Sequence, residues 1–576
     1  MMEREYIVTA KTKEDLESLY NDLETLGGCD CIPEREITCV HRRPISRNTH
    51  YYLSEEEAEL IKKDSRVLGV ELTPEEKGVE ISPYYTIAPS TGGWDKSTSN
   101  NDSYRNWGFY RCINGSQVTN WGVGATAGIS GTVLATSSGR DVDVVIVDGC
   151  FDPSHPEFQV NENGTGGTRV VQFNWFSLNP TVTGGSAGTY LYVNSGGTYI
   201  NGSTAQQTDN NHGCHVAGTV AGNRRGWARD AKIYNINPYS TAPSVISNSL
   251  MFDYIRAWHN GKSVNTTTGR KNPTITNHSY GQRYSVAITD INYVIYRGTQ
   301  YNNPTAAQLT GFGLINDGTN VNDIPYASTA QSADLIDAIN DGIIFVGAAG
   351  NSNYEIDIPG GEDYDNIINY NFSGFSYSDY YNRGSSPSHL PEFICVGNIG
   401  ADSTERKNTS SNCGPRIDVW APGSNITSSV HDNGGGANDS RNASYNITKY
   451  SGTSMASPNV AGVLACIAEQ WPRMTQSEAK SFLTELKLAK QNQITDGTGN
   501  LNLRGSPNRY LQYTMVRRVP NPSGSTYIGG QTTSQITFPN NTTKFRPVKT
   551  DGNLNTDIYA SGYVYPRRPI WHRKLT

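Results

Sequence analysis

A chain of 576 residues is about four times the length expected of one domain, so a sizeable core and more than one folding unit follow. Its 47 basic and 54 acidic residues leave a formal net charge of -7, and no basic block offers a surface to nucleic acid or to an anionic membrane. The nine cysteines are an odd number scattered along a large chain, which argues against a disulfide framework and suits a reducing compartment.

The N-terminus, MMEREYIVTAKTKEDL, is charged where a secretory signal would carry an apolar core, and the longest apolar runs, IIFVGAAG and VAGVLACIA, are too short to span a bilayer. The expectation is a soluble protein that is not Sec-exported, cytoplasmic or associated with a virion or other assembly, with no nucleic-acid or membrane partner. Residues 1–80 read as a unit of their own: strand EYIVTA, helix KEDLESLYNDLETLG, strands around REITCVHRR and THYYL, helix SEEEAELIKKD and strand VLGVEL, in the order βαββαβ. Ser54 followed by Glu57 reads as a capping box, and Gly27 as the stop of the first helix. Cys29 and Cys31 form a C-x-C without a second pair at zinc spacing, so no metal site is assigned there. Residues 81–105 turn to Pro, Ser, Gly, Asn and Tyr, the composition of a linker in which a processing site would be accessible.

From 106 to 490 apolar strands (DVDVVIVD, AKIYNIN, PTITNHS, GIIFVGAAG, EFICVGNIG) alternate with helical patterns (HGCHVAGTVAG, SLMFDYIRAWHN, SADLIDAIND, SMASPNVAGVLACIAEQ). Strands apolar on both faces and alternating with helices predict an α/β domain with a mostly parallel sheet covered on two sides. Polar insertions at 160–208, 283–330 and 352–388 are expected on the surface. Residues 491–576 form a C-terminal extension to which the sequence assigns no fold.

Four segments bring a polar side chain to an edge of that sheet amid small residues. VVIVDGCFDPSHPEF ends a strand on Asp148, NHGCHVAG opens a helix with His212, VGAAGNSN ends a strand on Asn351, and YSGTSMASPNVAGVLA enters a helix at Ser454. Chemistry in open α/β sheets collects at strand carboxyl ends and helix amino ends. For His212, Cys214 and His215, the residues alone leave three readings: a metal site, a redox centre, or one histidine as a catalytic base.

These blocks, in the order Asp, His, Ser, resemble those of the subtilisin-like serine proteases, over most of the length from about 5 to 485 with gaps at the insertions. The resemblance implies a triad of Asp148, His212 and Ser454, an oxyanion donor at Asn351, and substrate-binding segments at Asn277, Ser279, Tyr280, Gly281 and at Gly347, Ala348, Ala349, Gly350. It also implies that NWGFYR, 106–111, opens the mature enzyme and that the first unit is a propeptide-like inhibitor of its own catalytic domain. The partner is then a protein or peptide substrate, and a hydroxyl nucleophile with an imidazole base needs no cofactor.

Four positions depart from the family's pattern: Gly149 stands for a Ser or Thr, Cys150 for a Gly, Cys214 for a Thr, and Asn459 for a His. Two thiols each two residues from a triad member read either as packing residues or as an oxidisable pair gating the site. The run AGNRRGWARDAKIYNIN lacks the calcium loop many subtilisins insert, so calcium is not carried over, and the acidic stretch NYEIDIPGGEDYD reads as solvated loop charge. The reading is an autoprocessed serine endopeptidase. Its rival is a structural or interaction component of a virion or assembly that uses the fold as a scaffold and makes contacts through its insertions and C-terminal extension.

Overall fold

The structure, a computed structural model, describes residues 3–25, 35–83, 86–87, 106–114, 132–135, 137–190, 192–193, 199–200, 211–239, 246–401, 404–431, 435–485, 488–513 and 516–519. Expectations that rest on Gly27, Cys29, Cys31, residues 88–105 and the tail beyond 519 lie outside the described residues.

The first unit has the βαββαβ order: β1 (Arg4–Ala10), α1 (Lys13–Leu23), β2 (Cys39–Arg42), β3 (Asn48–Leu53), α2 (Glu55–Ile61) and β4 (Val67–Leu72). Its antiparallel sheet runs β2-β3-β1-β4, and Tyr6, Val8, Leu19, Leu53 and Ile61 are among the residues of its core. The Ser54–Glu57 capping box is present: Ser54 Oγ accepts from Glu57 N–H at 3.3 Å and Glu57 Oε2 from Ser54 N–H at 2.8 Å. Thr12 and Asp15 make the same motif at α1. Within the stretch expected as linker, β5 (Glu80–Pro83) and β6 (Thr86–Ile87) are strands.

Beyond them the chain builds an α/β domain. In order come β7 (Asp143–Val147), α3 (Asn211–Ala221), β8 (Lys232–Ile236), α4 (Met251–Gly261), β9 (Thr274–His278), β10 (Tyr280–Ala287), β11 (Ile291–Tyr296), β12 (Thr299–Asn302), β13 (Asn320–Pro325) and α5 (Thr329–Asn340). Then follow β14 (Ile344–Ala348), β15 (Ile367–Phe372), β16 (Phe375–Tyr380), β17 (Ile394–Ile399), β18 (Val419–Pro422), β19 (Ile426–Val430), β20 (Asn442–Ser451), α6 (Thr453–Gln470), β21 (Ala489–Gln491) and β22 (Arg509–Leu511). The main sheet runs β8-β7-β9-β14-β17-β18-β22-β21, parallel throughout except for the last pair. It therefore continues past residue 490.

Alternation along β7 divides the interior. Val144 and Ile146 join α3 and α6 in one core, while Val145 and Val147 join α4 and α5 in another on the opposite face. Helix α6 is buried on all sides from Thr453 to Ala468, which explains its nearly all-apolar, small-residue sequence.

The insertions at 283–330 and 352–388 are more than surface loops. They form a sheet, β12-β11-β15-β16, over a core of their own that includes Val286, Val294, Phe312, Ile368 and Tyr370, and Val79, just ahead of β5, packs into it.

The first unit docks through charge that is almost wholly buried. Arg43 donates to Asp253 Oδ2 on α4 at 2.8 Å and to Asp334 Oδ2 on α5 at 2.5 Å, with all three side chains at most 1% exposed. Asn48 Nδ2 adds a bond to Asp334 at 3.0 Å, and burial raises the Asp253 carboxyl above its ordinary range. Glu71 caps α5, accepting from the N–H groups of Thr329 at 3.1 Å and Ala330 at 3.0 Å. Removing one partner of such a cluster leaves uncompensated buried charge. Arg43→Ala is expected to cost about 3–5 kcal/mol, read as a lower urea midpoint; an unchanged midpoint would contradict this account of docking.

Candidate functional site

Asp148 is the first residue beyond β7, so its carboxylate emerges at the carboxyl edge of the sheet. Its Oδ1 accepts from Gly149 N–H at 2.8 Å and lies 2.9 Å from His212 Nδ1. A carboxylate only accepts, so Nδ1 carries the proton and Nε2 is the basic nitrogen. Asn235 on β8 fixes the turn below, donating from Nδ2 to Ile146 O at 3.1 Å and Asp148 O at 2.9 Å. Asp148 Oδ2 is buried without a hydrogen-bond partner among the described residues, and Gly149 brings no hydroxyl to it.

His212 is the second residue of α3, brought against this turn by the glycine that follows it. A Cβ on Gly213 would stand 2.1 Å from Gly149 O, a distance no side chain tolerates. His215, one turn on, does something else: its Nε2 meets Ile426 O at 2.8 Å and its ring stacks on Tyr450 at 4.6 Å. Burial pushes its pKa down to about 3, so it stays neutral.

Ser454 is the second residue of α6, whose sequence carries Pro458 four positions later. Proline has no N–H to give the carbonyl of residue 454, and that carbonyl is taken instead by Ser279 Oγ at 2.9 Å. Ser454 Oγ in turn donates to Ser279 O at 2.8 Å. A reciprocal clasp thus joins the first turn of the helix to the residue between β9 and β10. Ser279 Oγ also lies 3.0 Å from Ser457 Oγ and accepts from Asn277 Nδ2 at 2.8 Å.

Asn351 follows β14. Its Oδ1 accepts from Thr453 N–H and Thr453 Oγ, both at 2.9 Å, and those donors fix the amide orientation. The Nδ2 group is therefore a donor on the far side of the amide from Thr453, and since the N–H groups of Thr453 and Met455 are already bonded, that of Ser454 is the second donor at the α6 amino end. An oxygen that gains negative charge near Ser454 can be met by both.

The residues named from the sequence fall into two sets. Asp148 and His212 are in direct contact, Ser454 and Ser279 are in direct contact, and Asn351 is tied to the residue preceding Ser454. Gly281 lies on β10 opposite Ser82 of β5. Asn277 and Tyr280 turn their side chains inward: the Tyr280 hydroxyl lies 2.9 Å from His278 Nδ1 and 2.8 Å from Met251 Sδ, beneath the strand. Gly347 fits because Phe393 occupies its Cβ position, Ala348 and Ala349 are fully buried, and Gly350 N–H donates to Thr453 Oγ at 3.2 Å. Thr453, Ser457, Pro458 and Asn235 escaped the sequence reading. Thr453 and Pro458 stood inside the quoted block GTSMASP, but their roles depend on residues far away in sequence.

Of the two readings of the thiols, their placement favours packing. Cys214 and Cys150 are buried thiols outside any disulfide, but Cys214 packs in the core of α3 and α6 while Cys150 belongs to the core on the other face of the sheet. Burial raises the Cys214 thiol pKa, which keeps it protonated. This placement opposes an oxidisable pair. Among the described residues no group of three His, Cys, Asp or Glu side chains is arranged to hold a metal ion.

A carboxylate-held imidazole, a serine at a helix amino end and an amide tied to that turn are the residue types from which a serine hydrolase site is built. Residues 139–505 match the family model described as the subtilase family. The chain belongs to that family of serine proteases, and its fold is subtilisin-like. It is 25% identical over 354 residues to alkaline serine exoprotease A of Vibrio alginolyticus, an alignment covering 61% of this chain and 47% of that one. To subtilisin DY of Bacillus licheniformis it is 24% identical over 318 residues, 55% of this chain and 85% of the other. The chain thus spans about half the length of the first relative and most of the second. Among solved structures, fervidolysin from Fervidobacterium pennivorans, a keratinolytic enzyme related to subtilisin, matches 88% of this chain and 60% of its own, at 17% identity and a TM-score of 0.47.

Because Gly213 sets the approach of α3 to the Asp148 turn, Gly213→Ala is expected to push the imidazole off the carboxylate. Peptide hydrolysis should fall by at least about 10²-fold, the scale set by a misplacement near 1 Å. Parent activity in this variant would show that the contact is not required.

Proposed function

We propose that the chain is a serine endopeptidase that cuts itself. Ser454 Oγ is the nucleophile, His212 Nε2 takes its proton, and Asp148 orients the imidazole and stabilises its charged form. Asn351 Nδ2 and the Ser454 backbone N–H receive the oxyanion of the tetrahedral intermediate. In the resting state the Ser454 hydroxyl is bonded to Ser279 O, so attack begins with rotation of that hydroxyl toward His212.

The observation that carries self-cleavage is the path of the precursor segment. β5 lies antiparallel on β10, with Pro83 opposite Tyr280 and Ser82 opposite Gly281. β6 lies on β20, with Thr86 opposite Ser451. Ser454 is bonded to Ser279, next to Tyr280, and follows Ser451 by three residues. Pro83 is thus held on the strand next to Ser279 and Thr86 on the strand that leads to Ser454, with three residue steps, at most ~10 Å of chain, between them. Strand addition on an edge is how an extended peptide is held for cutting. The cut is assigned to residues 83–86.

The same path supports inhibition by the first unit. Asp148, His212 and Ser454 are at most 2% exposed, so an outside substrate has no access while the segment is in place. The buried Arg43 cluster and the Glu71 cap give the first unit a grip on the catalytic domain that does not depend on the segment.

Intact mass of purified protein tests this reading. The parent should yield a fragment ending between residues 83 and 86, and Ser454→Ala should remain one chain. An active parent that stays full-length would overturn self-cleavage. On a peptide substrate His212→Ala and Asp148→Asn should each lose several orders of magnitude, and Asn351→Ala about 10²–10³-fold.

A further inference from the structure

The segment that enters the cleft is gripped a second time, away from Ser454 and by residues the sequence placed in insertions. Lys77 lies three residues ahead of β5. Its ammonium, 10% exposed at the side chain, is 2.6 Å from Asp379 Oδ1 on β16. It stands 4.6 Å from the ring centre of Tyr326 and 5.8 Å from that of Tyr377. The other Asp379 oxygen accepts from the Tyr370 hydroxyl at 2.8 Å. On the far side of Tyr377, its hydroxyl accepts from Arg4 at 2.5 Å, a contact that belongs to the first unit. A carboxylate held by a phenol, flanked by two ring faces and largely closed to water, attracts a cation far more than an open surface does.

This cage is joined to the strand that holds the segment. Tyr326 N–H donates to Gln282 O at 3.0 Å, and Gln282 is the residue of β10 opposite Ile81. Asp379 and Tyr377 sit on β16, the edge strand of the insertion sheet. The cage belongs wholly to the catalytic half of the chain, so it remains when the first unit leaves, and β10 holds it at a fixed distance from Ser454.

We propose that Tyr326, Tyr377 and Asp379 form a substrate subsite for a lysine side chain well upstream of the cut bond, occupied in this precursor by Lys77. With the cut between residues 83 and 86, Lys77 is the seventh to ninth residue before it. Substrates are then segments that carry a lysine ammonium at that remove, read by charge and ring faces, ahead of a stretch that lies extended on β10. The inference rests on the peptidase reading above.

The test uses self-cleaved parent and Asp379→Asn enzymes, with rates expressed per fluorophosphonate-reactive site, and three quenched peptides. One copies residues 73–90, the second is the same with alanine in place of Lys77, and the third copies residues 80–90 only. Parent enzyme should cut the lysine peptide with a kcat/KM about tenfold above the alanine peptide, equivalent to ~1.4 kcal/mol. In Asp379→Asn that preference should vanish while the short peptide is cut as fast as by the parent. Equal rates on the two long peptides by the parent, or a preference that survives Asp379→Asn, would overturn the subsite alone. A short peptide left uncut by the parent would overturn the peptidase reading and the subsite with it.

Discussion

The site depends on one missing hydrogen-bond donor. Pro458 cannot supply the N–H that would bond the Ser454 carbonyl within α6, and a buried carbonyl without a partner is costly. Ser279 fills the vacancy with its hydroxyl and offers its own carbonyl to the Ser454 hydroxyl. The helix start, the Ser454 hydroxyl and the start of β10 are therefore positioned by one pair of bonds. Asn351 is locked to the same turn through Thr453, so its amide moves with Ser454. The Asp148 and His212 half is set independently, by Asn235 beneath the strand end and by the close approach of Gly213.

The first unit meets this domain through two kinds of contact. One is rigid and charged, Arg43 between two aspartates and Glu71 on the end of α5. The other follows the chain itself, through the Lys77 cage, Val79 in the insertion core, and β5 on β10. Buried charge gives the docked unit a defined orientation, since a wrong register would leave carboxylates unpaired. Strand pairing then fixes the register of residues 80–83 on β10.

The α/β fold and the positions of Asp148, His212, Asn351 and Ser454 were legible because each polar residue interrupts a run of small or apolar ones. The same legibility failed where a role is created by contact across the chain. Ser279 and Ser454 are 175 positions apart, and nothing in TNHSYG announces a hydroxyl meant for a helix carbonyl. Arg43 in HRRP has the look of surface charge, and only the two carboxylates on α4 and α5 make it an interior residue. The insertions hid their own core because INYVIY and IINYNF mix Asn and Tyr with Ile and Val, so the alternation that marks a half-buried strand is blurred. Cys150 and Cys214 looked like neighbours in sequence logic, yet the sheet passes between them.

Val79 gives the docking of the first unit a thermal character. It is that unit's apolar contribution to the insertion core, shared with Tyr284 and Val286. Apolar burial weakens on cooling, and the cost of desolvating the charges at Arg43 and Lys77 rises as temperature falls, so both kinds of contact loosen in the cold. Cooling should therefore weaken the docking of the whole first unit, through its charges as well as through Val79.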